Sequence, residues 1–444
     1  MTQPPPGTTA PASLPRRPLD GLRSVHPAWW VAAVAFLALV GAAGFRAAPG
    51  ALMVPLHHEF GWSTSVMSLA ISVNLVLYGL TAPFAAALMD RFGIRRVTAS
   101  ALGLVALGAG ASVGMTQSWQ LVLFWGVLIG LGTGSMALVF AATIANRWFV
   151  KRRGLVMGVL TAGSAAGQLV LLPPVAALAE GVGWRPASLL VAGAALLAVP
   201  AVWLVLRDHP EDRGVAPYGA DAGYVPPPRT AGGAVRRTFD GLAFAARRRS
   251  FWALAAAFAI CGATTNGLVG IHFIPSAHDH GMPATTAAGL LAAVGVFDIA
   301  GTIASGWLTD KFDPRKLLVA YYAFRGVGLL VLPWLLADSV HPSMVVFIVV
   351  YGLDWVATVP PTAALCREHF GEHGTIVFGW VFAAHQLGAA AAALGAGVIR
   401  DVFGSYTYAW WGGAAMCLVA AVLSIAVKRV PYAAGTRSSS TIAS

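Results

Sequence analysis

The stretch GWLTDKFDPRK, residues 306–316, carries five charges directly behind the almost wholly apolar run LLAAVGVFDIAGTIAS. A near copy, AALMDRFGIRR, stands at residues 86–96. Asp90 and Asp310 are 220 residues apart, and the same offset links Arg147 to Arg367 and Gly154 to Gly374. Gly158 and Gly167 recur at Gly379 and Gly388, one residue later in step. A charged phrase repeated at that distance, with glycines in register, marks an internal duplication. In an apolar chain, duplicated halves point to a membrane transporter built from two related bundles.

Composition sets the solvent. The chain has 444 residues, 57% hydrophobic and 11% charged, against about 25% charged in soluble domains. Its mean hydropathy is +0.71. Such a chain lacks the polar side chains to cover a water-facing surface, so its partner is the lipid bilayer. A net charge of +11 would point to nucleic acid in a soluble protein, but these basic residues sit at membrane boundaries and no nucleic-acid partner is expected. Cys261, Cys366 and Cys417 show neither metal nor redox spacing and read as packing residues. No metal and no cofactor are expected.

A crossing helix needs about 20 mostly apolar residues. Twelve segments qualify: 28–56, 65–89, 96–115, 119–145, 154–178, 185–206, 251–275, 285–309, 317–337, 341–366, 374–398 and 405–427. The expected organisation is a disordered cytoplasmic tail (1–27), an N-terminal six-helix bundle (28–206), a Pro-, Gly- and Arg-rich cytoplasmic linker (207–250), a C-terminal six-helix bundle (251–427) and a cytoplasmic tail (428–444). Of the 29 Lys and Arg, all but four fall in the tails, the linker and the even-to-odd loops. Arg185 and Arg400 lie on the other side, and Arg46 and Arg325 lie inside spans. By the positive-inside rule both termini are cytoplasmic, and the membrane is the plasma membrane, a bacterial inner membrane.

Over all twelve spans the chain resembles the major facilitator superfamily, whose signature after the second helix is G-x-L-x-D-[RK]-x-G-[RK]-R. The second copy keeps Gly306, Leu308, Asp310, Lys311, Arg315 and Lys316; the first keeps Leu88, Asp90, Arg91, Gly93, Arg95 and Arg96, with Ala86 in the glycine's place. The resemblance implies an all-α membrane protein of twelve transmembrane helices in two pseudo-symmetric bundles. The two phrases read as a cytoplasmic gate, because a carboxylate at a helix end can pair with Arg and with the N-terminus of a neighbouring helix. That clamp would hold the halves together and release as they rock; the bland alternative is a set of positive-inside anchors. Within the superfamily, GFRAAPGALMVPLHHEFGWSTS (44–65), VFDIAGTIASGWLTDKFDPRKLL (296–318), YGLDWVATVPPT (351–362) and VFGWVFAAHQLGAA (377–390) are similar to the monocarboxylate porter and oxalate/formate antiporter branch. Animal monocarboxylate porters place Asp and Arg four apart on the eighth helix; here Asp298 is followed by Thr302.

Charged groups inside spans cost about 3 kcal/mol or more unless paired or wetted, so each is a candidate. Arg46 in the first span suits a bidentate grip on a substrate carboxylate; the alternative is snorkelling to headgroups. Asp298 and Arg325, in the eighth and ninth spans, lie about 18 and 14 Å from the same membrane face, close enough to pair. Asp354, about 18 Å deep and near a break expected at Pro360-Pro361, is either a proton carrier or Arg325's alternative partner. His385 reads as a substrate contact or a packed hydrogen-bonder. Tyr78, Asn74, Asn266 and Gln168 offer neutral polar contacts, and His272, His278, Asp279 and His280 read as surface groups.

The expected function is a monomeric secondary transporter that moves a small organic anion, a monocarboxylate, with protons by alternating access. Arg46, Tyr78, Asn266 and His385 would bind substrate; Asp298, Asp354 and Arg325 would form the proton pathway. The rivals are a drug or neutral-solute exporter on the same fold, and a membrane sensor that does not transport. Absence of a metalloprotease motif, a nucleophile elbow or a phosphate loop in a supporting context argues against an enzyme.

Overall fold

The computed structural model describes residues 25–136, 138–221, 224 and 233–427; at residues 46, 47, 86, 138, 139, 164, 165 and 234 it describes the backbone alone. The expected tails, apart from residues 25–27, lie outside the described residues.

The chain forms twelve crossing helices: α1 (Pro27–Phe60), α2 (Thr64–Phe92), α3 (Ile94–Ser112), α4 (Ser118–Trp148), α5 (Arg153–Gly181), α6 (Trp184–Val205), α7 (Arg249–Asp279), α8 (Ala284–Thr309), α9 (Pro314–Leu335), α10 in two pieces (Pro342–Asp354 and Val359–Phe370), α11 (Gly374–Phe403) and α12 (Thr407–Ala426). The 62 residues of Pro342–Phe403 make two passes, because Gly371, at φ +55°, turns the chain between α10 and α11. The ends follow local chemistry. Gly61 takes the left-handed conformation, and its N–H bonds the His57 carbonyl at 2.8 Å, which stops α1. Asp313 accepts the Arg315 N–H at 3.0 Å and Pro314 occupies the first turn, which starts α9. Wide π turns interrupt α4 at Val122–Leu128 and α7 at Ala263–Val269.

The packing repeats after six helices. α1 lies on α5 as α7 lies on α11; α3 lies on α6 as α9 lies on α12; α2 lies on α4 as α8 lies on α10. Two further pairs, α2 with α11 and α5 with α8, join the halves. Ser72 Oγ donates to the Ala390 carbonyl at 2.8 Å midway along the α2–α11 wall. The two membrane faces are called here the linker side, where the described parts of residues 207–250 lie, and the far side.

The described parts of the linker are more structured than its Pro-, Gly- and Arg-rich sequence leads one to expect. Tyr218 pairs with the end of α4, its N–H bonded to the Trp148 carbonyl at 2.8 Å. A linker helix, Ala234–Ala246, lies across the α2–α11 wall. Its Phe239 stands 5.3 Å from Phe84 of α2 and 6.0 Å from Trp380 of α11, and Trp380 Nε1 donates to the Thr238 carbonyl at 2.9 Å.

Candidate functional site

A cavity of about 50 Å³ lies between the halves, room for a few waters. In this conformation the space is too small for an organic solute. The first half contributes Phe45 and Pro49 from α1, Ile71, Asn74, Leu75 and Tyr78 from α2, and Gln168 from α5. The second contributes Asn266, Gly270 and Ile271 from α7 and Trp355 from the α10 break. Asn266 sits inside the π turn of α7, where the wider spacing departs from the regular helical face. Asn74 Nδ2 donates to the Trp125 carbonyl in the matching π turn of α4 at 2.7 Å, which fixes its amide at the wall.

Of the four residues expected to contact substrate, Tyr78 and Asn266 line this cavity. Arg46 lies on α1 between Phe45 and Pro49, but its side chain is outside the described residues. His385 is placed elsewhere. It is buried in the packing of α7 against α11, with Phe258 at 4.7 Å and the near-parallel ring of Phe382 at 5.8 Å. The backbones meet there: a Cβ at Gly262 would lie 1.8 Å from the His385 carbonyl oxygen. His385 is not among the cavity's lining residues.

The intramembrane charges form one cluster around the α10 break. Arg325 is fully buried; its Nε bonds Asp354 Oδ2 at 2.6 Å, its Nη1 reaches Cys261 Sγ at 3.0 Å, and its Nη2 donates to the Asp354 carbonyl at 2.7 Å. The structure thus pairs Arg325 with Asp354 and not with Asp298. The reason is the break: it turns carbonyls at the end of the first α10 segment toward α9, so one guanidinium serves both a charge and orphan acceptors. Asp298 instead holds the break from α8. Its Oδ1 accepts the Val356 N–H at 3.1 Å and the Thr302 hydroxyl at 3.0 Å. Ser305 Oγ donates to the Ala357 carbonyl at 2.5 Å. Trp355, which faces the cavity, is therefore carried on backbone gripped by Arg325 on one side and by Asp298 and Ser305 on the other.

The repeated charged phrases lie on the linker side, and their contacts stay within each half. Asp90 makes an ion pair with Arg147 of α4. Arg95 stacks over Trp203 at 4.9 Å and Arg91 over Phe92 at 5.4 Å, while Arg96 is exposed. In the second copy Arg315 bonds Asp313 at 2.5 Å and the Val427 carbonyl at 3.2 Å, and Lys311 sits 3.8 Å from the Trp307 ring. Asp310 and Lys316 are exposed, and a Cβ at Gly306 would meet open space. The expectation that these phrases clamp the two halves together is not met in this conformation: among the described residues, the direct bonds between bundles lie at mid-membrane and on the far side.

Gly93 explains one letter of the phrase. It has φ +86°, and a Cβ there would stand 2.5 Å from Asp208 Oδ2. Replacing Gly93 with Ala is expected to cost about 1–3 kcal/mol from backbone strain plus the clash. The check is the melting temperature of the purified variant in detergent, which should fall while the composition of helix by circular dichroism stays the same.

Sequence reasoning missed Trp355, and it missed Glu180 and Asp401, whose carboxylates cross between halves on the far side. Glu180 and Asp401 are 221 residues apart, the offset already visible in the glycines. Of the residues read as surface groups, His272 is instead fully buried, its Nε2 bonded to the Ala393 carbonyl of α11 at 2.8 Å, whereas Asp279 is exposed and ion-paired with Arg400 at 2.6 Å.

Comparison with known proteins agrees with this architecture. The sequence pattern of the Major Facilitator Superfamily matches residues 34–393, with a second match over 273–443. The chain is 27% identical over 417 residues to the uncharacterized MFS-type transporter YcxA of Bacillus subtilis (strain 168), covering 91% of this chain and 95% of the relative. It is 27% identical to human monocarboxylate transporter 11 over 438 residues, covering 95% and 86%. Among solved structures, the D-xylose-proton symporter superposes with a TM-score of 0.69 at 16% identity, covering 89% of this chain and 97% of that one. A bacterial homolog of the human lysosomal transporter Spinster, inward-facing and unoccupied, gives 0.66 at 15% identity, covering 91% and 96%. Duplicated six-helix packing, a cavity between the halves and the pattern match over most of its length all place the chain in one family: it is a multi-pass membrane transporter belonging to the Major Facilitator Superfamily.

Proposed function

We propose that the chain is a secondary active transporter of the plasma membrane that moves a small organic anion, a monocarboxylate, together with protons by alternating access, both termini being cytoplasmic. The observation that supports it most is the coupling of an acid to the cavity wall. Asp298 holds the Val356 N–H, one residue from Trp355. A proton on Asp298 removes its charge and weakens a charge-assisted bond. The α10 break then relaxes and Trp355 moves. Arg325 and Asp354 anchor the other side of the break throughout. The relatives named for monocarboxylates support the substrate class, and the excess of Lys and Arg on the linker side supports the orientation. The test is uptake into proteoliposomes under an imposed pH gradient, with labelled mono- and dicarboxylates; accumulation of none of them in response to the gradient would overturn the reading.

Arg46 carries the anion in this proposal, from a position on α1 between two residues of the cavity wall. Arg46→Ala is expected to lower uptake at least about a hundredfold, the loss of a bidentate charge-assisted pair of about 3 kcal/mol, at unchanged expression. Uptake at the wild-type rate would remove Arg46 from the site.

A second reading is favoured by one feature: the polar side chains described on the wall, Asn74, Tyr78, Gln168 and Asn266, are all uncharged. A drug or neutral-solute exporter needs no more. It predicts transport indifferent to the presence of a carboxylate on the solute.

A further inference from the structure

We propose that Glu180 and Asp401 form a paired latch that fastens the far side shut, each acid at the end of one half's fifth helix capping the start of the other half's second helix. The proposal rests on the alternating-access reading and names the residues that hold one of its states.

Asp401 ends α11. Its Oδ1 accepts the Thr64 N–H at 3.0 Å and its Oδ2 accepts the Ser65 N–H at 2.8 Å. Both are first-turn amides of α2 with no partner inside their own helix. Glu180 ends α5, and its Oε1 accepts the Thr285 N–H at 3.2 Å in the first turn of α8. The correspondence is one of position as well as chemistry. Residues 180 and 401 are 221 apart, and so are residues 64 and 285. The duplication has kept the acid and the amide it reaches, and crosses them between halves.

Three further observations fit a fastening that opens. A carboxylate at a helix N-terminus is stabilised by the helix dipole, so each contact draws the halves together. Both acids are solvent-exposed, where water competes for the carboxylate and the bond breaks readily. The α11 end is braced, with Arg400 paired to Asp279 of α7 at 2.6 Å and Gly397 packed so closely that a Cβ would lie 2.5 Å from Ser68 Oγ of α2. On the linker side, by contrast, the repeated charged phrases bond within their own halves. The far side is fastened while those phrases are not engaged across the gap, which makes the two sets alternatives.

The experiment is double electron–electron resonance on spin-labelled protein in nanodiscs. One pair of labels, at Thr116→Cys and Val340→Cys, reports the far side; a second, at Val150→Cys and Glu372→Cys, reports the linker side. These positions are exposed and lie outside the latch, and the native Cys261, Cys366 and Cys417 are buried. In the Glu180→Ala/Asp401→Ala background the ratio of long to short far-side distances is expected to rise about tenfold over wild type. Each single variant should give an intermediate rise, and Glu211→Gln, an exposed acid outside the latch, none. An unchanged far-side distribution in the folded double variant, or in both single variants should the double not fold, overturns the latch. A far-side rise with a matching shortening on the linker side supports latch and alternating access together. A far-side rise with a fixed linker-side distance leaves the latch standing and refutes alternating access.

Discussion

Arg325→Leu is expected to destabilise the protein by about 3–5 kcal/mol, the cost of breaking a buried ion pair from one side. Asp354 is 5% exposed and would be left without its cation, at the cost of either an unpaired buried charge or the uptake of a proton. The carbonyls of Asp354 and Trp355, at 2.7 and 3.4 Å from Nη2, would lose a donor in the same step. The readout is the unfolding midpoint in detergent followed by tryptophan fluorescence, together with the yield of monodisperse protein. Arg325→Leu/Asp354→Leu removes both charges and should recover most of the loss, because a buried pair seldom outperforms well-packed apolar groups. A residue of about 1–3 kcal/mol should remain, since the break's carbonyls stay unsatisfied. Melting of Arg325→Leu at the wild-type temperature would show that the pair holds nothing.

The two bundles were legible in the sequence because length and hydropathy alone define a crossing helix, and because a duplication repeats its glycines and charges at a fixed offset. The pairing of Arg325 was not. Depth follows from counting residues along a helix, and by depth Asp298 and Asp354 are equally good partners. Rotation about the axis decides between them, and it depends on where α10 breaks. Pro360 and Pro361 do announce a break, but it falls before them: a proline is tolerated in a first helical turn, so residues 355–358 unwind and Val359 restarts the helix. That places Trp355 on the cavity wall and hands its backbone to Arg325 and Asp298. His385 shows the same gap from the other side. A histidine in an apolar span is conspicuous, yet only the fold reveals that Phe258 and Phe382 enclose it. The crossing acids Glu180 and Asp401 were hidden for another reason. Each lies at a helix end, where acids are common, and nothing in one copy tells that its amide partner belongs to the other half.

Asp298→Asn is expected to abolish proton-driven accumulation while leaving the fold and solute exchange intact. Both bonds that Asp298 makes to its surroundings fall on Oδ1. An asparagine oxygen in that place accepts the same two hydrogens without the charge, so the Val356 N–H and the Thr302 hydroxyl stay bonded but more weakly, as on the protonated acid. The amide carries no charge and takes up no proton, which makes the variant a fixed imitation of the protonated acid. A pH difference of one unit is worth about 1.4 kcal/mol per proton, or roughly tenfold accumulation of a co-transported solute. In proteoliposomes with that gradient the wild type should concentrate its substrate to about that extent, and Asp298→Asn should level off at equal concentrations inside and out. Exchange of labelled for unlabelled substrate needs no net proton movement and should run at a comparable rate in both. Asp354→Asn separates the roles: it breaks the pair with Arg325 and should lower the melting temperature, which Asp298→Asn should not. If Asp298→Asn still concentrates substrate against the gradient, the proton travels elsewhere, and Asp298 serves only to hold the α10 break in place.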